Sequence, residues 1–140
     1  MKTILRMPRW VAIGGALLLG AAMAHAGNSK VSLTGAEEVP AVTTSATGTG
    51  TISVAADKSV TGKITTKGIA GIAAHVHLGA TGKNGPPVIT LTKTGDDVWS
   101  VPEGSKLTDE QYASYQAGDL YVNVHSAEHK GGEIRAQLKP

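Results

Sequence analysis

Leu120-Tyr121-Val122-Asn123-Val124-His125 is the stretch that decides the fold. Side chains of a strand alternate between its two faces. Val122 and Val124 therefore claim an apolar interior, and Tyr121, Asn123 and His125 share the opposite face. The stretch from Glu133 to Leu138 repeats the arrangement, giving Ile134, Ala136 and Leu138 to the core and leaving Glu133, Arg135 and Gln137 outside. Ser126 to Gly132 lies between the two as a hairpin connection. Upstream, Ala73 to Leu78 directs Val76 and Leu78 inward and His75 and His77 outward. Antiparallel strands with one apolar and one polar face point to a sandwich or barrel.

Working outward, short runs rich in Val, Ile and Thr recur between clusters of Gly, Pro, Asn and Asp. Strands are expected at Lys30 to Leu33, Gly48 to Val54, Ser59 to Thr66, Val88 to Leu91 and Val98 to Val101, with a glycine-rich loop from Gly79 to Pro87. One helix interrupts them near residues 108–117. Thr108-Asp109-Glu110-Gln111 has the form of a capping box, and Gly118 suits the C-terminal end. Tyr112 and Tyr115, three apart on that helix, share a face that should cover one end of the sandwich. Phe and Cys are both absent. The core is thus aliphatic, no disulfide forms, and any metal site must use His, carboxylate, Tyr or Met.

The amino-terminal end reads as a cleavable signal peptide over residues 1–26. Lys2, Arg6 and Arg9 form a basic start, an apolar run follows from Trp10 to Met23, and Ala24-His25-Ala26 is an A-x-A cleavage site. The run is shorter than a membrane span and is broken by Gly14, Gly15 and Gly20. No cysteine near the site allows lipid attachment, and no Arg-Arg pair signals a twin-arginine route. The expected product is a single domain, residues 27–140, that is periplasmic or secreted and has no membrane anchor after cleavage. The whole chain carries 13 basic and 11 acidic residues, a net charge of +2. Three of the basic residues leave with the leader, so the remaining domain is close to neutral and slightly acidic. That balance argues against nucleic acid as a partner. Oligomeric state is not legible in the sequence.

His25 leaves with the leader, and four histidines remain. His75 and His77 are two apart on one strand, about 6.6 Å along the backbone at a rise near 3.3 Å per residue. Imidazoles at that spacing can converge on one metal ion. His125 has matching phase on another strand, so if the strands are neighbours the three histidines form a cluster. His129 falls in the hairpin loop, where a solvated side chain is the plain alternative to a further ligand. Tyr121 is a candidate axial ligand or hydrogen-bonding neighbour, against a purely structural role on a half-exposed face. Arg135 is a candidate for steering an anion toward the site, against a cross-strand pair with Glu133 or Glu128.

Leu33-Thr34-Gly35-Ala36-Glu37-Glu38-Val39-Pro40, Ala74-His75-Val76-His77, Gly118-Asp119-Leu120-Tyr121-Val122-Asn123-Val124-His125-Ser126 and Gly132-Glu133-Ile134-Arg135-Ala136-Gln137-Leu138 together resemble the chordin-type CHRD domain. The resemblance runs over essentially the whole of residues 27–140. It implies an all-β, Greek-key, immunoglobulin-like or superoxide-dismutase-like antiparallel β-sandwich. His75-Val76-His77 is also similar to the copper-ligand strand of copper-zinc superoxide dismutases. Four histidines are too few for that family's copper-plus-zinc pair, and its disulfide cannot form.

The expected cofactor is one copper ion, since copper binds nitrogen ligands most tightly among the common divalent metals and is met outside the cytoplasm. Zinc is the alternative. A redox-active site of this kind would take superoxide or another small redox substrate, with Arg135 or Lys130 steering the anion. Copper storage or delivery uses the same ligands without turnover. A non-catalytic module binding protein or glycan on its outer strand face is the rival from another class.

Overall fold

The computed structural model describes residues 26–140. All but the last residue of the leader reading lies outside the described residues. Nine strands form: β1 Gly27–Thr34, β2 Thr47–Val54, β3 Val60–Lys67, β4 Gly71–Leu78, β5 Pro87–Thr90, β6 Thr92–Gly95, β7 Val98–Ser100, β8 Leu120–Ser126 and β9 Ile134–Leu138. A 3-10 turn, Gly35–Glu37, follows β1, and one helix, α1, spans Asp109–Gln116. The spatial order is β5-β4-β8-β9-β1-β2-β3-β7-β6, with every named pairing antiparallel.

This order folds into two layers joined at both edges. On one side β9 meets β1 at a single register pair, Thr34 with Arg135. On the other, only Leu91 separates β5, which pairs with β4, from β6, which pairs with β7. One continuous segment therefore passes from the first layer to the second, and the Leu91 amide donates to the Ala74 carbonyl at 2.9 Å as it crosses. The result is the expected all-β sandwich, nearly closed. The segment Thr92–Gly95 has no apolar alternation and is exposed throughout, which is why its strand is not legible in the sequence.

Between the layers lie Val31, Leu33, Ile52, Val54, Val60 and Ile64 from one sheet and Ala74, Val76, Leu120, Val122, Val124, Ile134, Ala136 and Leu138 from the other, all buried. Removing each large aliphatic side chain from water contributes about 1.5–3 kcal/mol. The helix forms where its capping box requires: the Thr108 hydroxyl accepts from the Gln111 amide and the Gln111 side chain accepts from the Thr108 amide. It stops at Gly118, whose φ of +81° favours glycine. Tyr112 and Tyr115 both enter the core.

The polar face of β4, β8 and β9 departs from expectation. Alternation predicts a solvated surface, yet Tyr121 is 2%, Asn123 1%, His125 8% and Arg135 1% exposed. The cause is a set of returning loops that these side chains themselves fasten. Arg135 donates to the carbonyls of Ala80 (3.3 Å) and Lys83 (2.8 Å) and to Asn84 Oδ1 (3.2 Å). Gln137 donates to the carbonyls of Gly79 and Gly118, each at 2.8 Å. Asn84 in turn donates to the Val39 carbonyl at 2.6 Å, tying the 79–86 loop to the segment after β1. The outer face is thus a second, polar interior.

Candidate metal centre

Strand pairing assembles the cluster. β4 and β8 are neighbours in the register His75 with Asn123, His77 with Tyr121 and Ala73 with His125. His75, His77 and His125 therefore occupy adjacent positions on one face, as their shared phase predicts. Each offers one ring nitrogen within 4.8 Å of the others. The closest pair, His75 Nδ1 and His125 Nε2, is 3.0 Å apart.

Two backbone carbonyls fix which nitrogens face inward. His77 Nδ1 donates to the Gly85 carbonyl at 2.9 Å, and His125 Nδ1 donates to the Lys130 carbonyl at 2.8 Å. A carbonyl can only accept, so each neutral ring carries its single proton on Nδ1 and presents a lone pair at Nε2. With His125 Nε2 unprotonated, His75 Nδ1 is the donor in the contact between those two rings. His77 Nε2 is buried and has no hydrogen-bond partner. A metal-ligating histidine is commonly held in this way, its outer nitrogen donating to a carbonyl and its inner nitrogen left as a bare lone pair.

Electrostatics favour the same protonation. Burial pushes the His77 imidazole below its ordinary range, against the raising effects of its bond to Gly85 and of the neighbouring Asn123 side chain. Burial, and then the neighbouring His125 and His77, push His75 down as well. Both rings are neutral at pH 7, the form that binds metal. The chemistry of the donor set fits a borderline or soft cation: three imidazole nitrogens and no carboxylate among the three.

Tyr121 stacks on His77 with ring centroids 4.8 Å apart and planes 1° from parallel. Its hydroxyl accepts from the Gly85 amide at 3.2 Å. The Arg135 guanidinium lies 3.5 Å over the other face of the Tyr121 ring, a cation–π contact. The stack Arg135, Tyr121, His77 holds the imidazole plane. Arg135 thus sits beneath the loops with its donors committed to carbonyls and Asn84, not at a mouth where an anion arrives, and it pairs with neither Glu133 nor Glu128. His129 is not brought to the triad. The structure sets it 3.7 Å from Glu133, with Glu128 nearby.

Three features of the site escape a reading of the sequence alone. Gly85 and Lys130 act through backbone carbonyls, to which residue type is silent. Glu38 is buried beside Asn123 and Gly132. Burial pushes its carboxyl up to about 7, while the Asn123 amide and the Arg135 guanidinium pull the other way. Glu38 Oε1 and Asn123 Oδ1, like His77 Nε2, have no hydrogen-bond partner. The signal for Glu38 was its place in the Gly35-Ala36-Glu37-Glu38-Val39-Pro40 motif, which no periodicity explains.

The family model that matches this sequence is the CHRD domain, over residues 29–138. No curated protein and no solved structure matches the chain.

Proposed function

This chain belongs to the CHRD domain family, and on that premise we propose that it is an exported copper-binding member that holds one copper ion through His75, His77 and His125. The observation that carries this reading is His77 Nε2: a buried lone pair that no group, the adjacent Asn123 included, meets in hydrogen-bonding geometry, in a ring whose other nitrogen is held by a carbonyl. An unsatisfied polar atom in a protein interior is costly, and a cation shared with His75 and His125 removes the cost. Tyr121 supports the site by stacking and is no ligand in this reading. Copper is preferred to zinc because imidazole nitrogen favours it in the divalent series and because the leader directs the domain to the periplasm or beyond, where copper is met.

Bound copper would supply one-electron chemistry at this site. His75 is only half-buried whereas His77 and His125 are buried, so a small anion reaches the triad from the His75 side. Superoxide fits: one molecule is oxidised to dioxygen, a second is reduced, and two protons from solvent complete hydrogen peroxide. Arg135 is assigned to loop fastening here, and long-range attraction of the anion falls to Lys130.

The test is Cu(II) added at one equivalent to the purified protein, read by electron paramagnetic resonance beside His75→Ala and His125→Ala. Nitrogen coupling is expected in the parent and altered in both variants; coupling unchanged in either would overturn the ligand set. Superoxide consumption, corrected for free copper, is then expected to exceed the metal-free control. Stoichiometric copper without consumption would assign the site to storage or delivery. No specific uptake of copper or zinc would leave a protein- or glycan-binding module.

A further inference from the structure

A second set of ligand-capable side chains lies apart from the three histidines, in the loop joining β8 to β9. Glu128, His129 and Glu133 each offer one atom, and these atoms lie within 4.8 Å of one another. The loop is folded around them. Ser126 Oγ accepts from the His129 amide at 3.1 Å, and the His129 carbonyl accepts from the amides of Gly132 (3.0 Å) and Ser126 (3.3 Å). This turn brings His129 over Glu133, with Nε2 and Oε1 3.7 Å apart.

An exposed histidine–glutamate pair on its own is an ordinary surface contact worth little. Glu133 is not exposed: its side chain is 9% accessible. Besides His129, its carboxylate meets only a long 3.5 Å contact from Ser126 Oγ, and no lysine or arginine among the described residues forms an ion pair with it. A carboxylate withdrawn from water needs a cation or strong donors to offset its desolvation. A cleft between residues 68–70 and 126–128 gives access to Glu133 from one side, and His129 lines a neighbouring cleft that also borders Glu128.

We propose that Glu128, His129 and Glu133 form a second cation site, for a borderline divalent ion of the zinc type. One imidazole nitrogen and two carboxylate oxygens suit such an ion, whereas calcium and magnesium take all-oxygen shells. The site stands independently of the three-histidine centre and shares with it only the loop, whose Lys130 carbonyl orients His125.

Calorimetric titration of the purified protein with Zn(II) tests this. The parent is expected to bind two equivalents, and Glu133→Gln and His129→Ala one each, with affinity at the lost site weakened by at least the ~10-fold that losing an outer partner of a ligand costs. His77→Ala is also expected to bind one, and His77→Ala with Glu133→Gln none. If the three-histidine centre takes no metal, the parent and His77→Ala both bind one equivalent and Glu133→Gln binds none, so the second site survives that failure. A stoichiometry unchanged by both Glu133→Gln and His129→Ala, or no uptake by His77→Ala, overturns the proposal. Circular dichroism of each variant, matched to the parent, confirms that lost binding is not lost folding.

Discussion

His77 Nδ1 donates to the Gly85 carbonyl oxygen at 2.9 Å, and this one bond decides which nitrogen of the ring faces His75 and His125. Gly85 has no room for a side chain, since a Cβ there would collide with the Leu78 carbonyl. Gly85→Ala should therefore displace the loop and release the ring while leaving all three ligands in the sequence. Copper affinity is expected to fall about 10–100-fold, the usual cost of losing the group that orients a ligating ring. Competition against a chelator of known affinity measures it; parental affinity would mean that the carbonyl does not orient the ligand.

The lowered pKa values of His75 and His77 predict how the site responds to acid. Both groups start from an ordinary value of 6.5 and are held below it by burial. They stay neutral as pH falls through the usual histidine range and protonate only beneath it, where protons displace metal. Without metal, the same shift means that the unfolded chain binds protons more readily. Its contribution to stability is full above pH 6.5 and is lost as pH falls toward the depressed values. Copper retained after dialysis at stepped pH should show its midpoint below 6.5, and a midpoint above that value would contradict the assignment.

Glu38 carries the opposite sign. Its pKa rises from 4.5 to about 7 on folding, so the folded chain binds this proton more tightly. The associated stability is full below pH 4.5 and is lost as pH rises through about 7. Glu38→Gln removes the charge without changing the shape and gives Asn123 Oδ1 a possible donor. At pH ~8 the variant should be more stable than the parent by about 1–2 kcal/mol, a figure reduced for partial solvation. Near pH ~4 that advantage should vanish. Urea unfolding at the two pH values checks this, and an equal change at both would remove Glu38 as the titrating group.

Arg135 fastens the 79–86 loop and stacks on Tyr121, two tasks that depend on a planar fork of donors. Lysine keeps the charge and loses the fork. Arg135→Lys should cost about 1–3 kcal/mol in stability, because the Lys83 carbonyl and Asn84 lose the guanidinium and the Ala80 carbonyl keeps only the Lys83 amide. Limited proteolysis is then expected to cut within residues 79–86 faster than in the parent. A variant as stable and as resistant as the parent would return Arg135 to the anion-steering role.

How much of this was legible beforehand can be read residue by residue. The period-two alternation of Val122 and Val124, of Val76, and of Ile134, Ala136 and Leu138 is a local property, because adjacent side chains of any strand point to opposite faces. It determined the core, the β class and the shared phase of His75, His77 and His125. The capping box at Thr108 is equally local, and the helix begins where it stands. Only the tertiary structure decided that β4 lies beside β8, so that equal phase becomes a 3.0 Å contact between rings. It also decided that the polar face is covered. Burial there depends on where the 79–86 loop, the segment around Glu38 and the β8–β9 turn return, and they are held by backbone carbonyls that every residue type possesses. For the same reason His129, one strand-end beyond His125 in sequence, belongs with Glu128 and Glu133: the turn at Ser126 reverses the chain, and alternation carries no information past a turn.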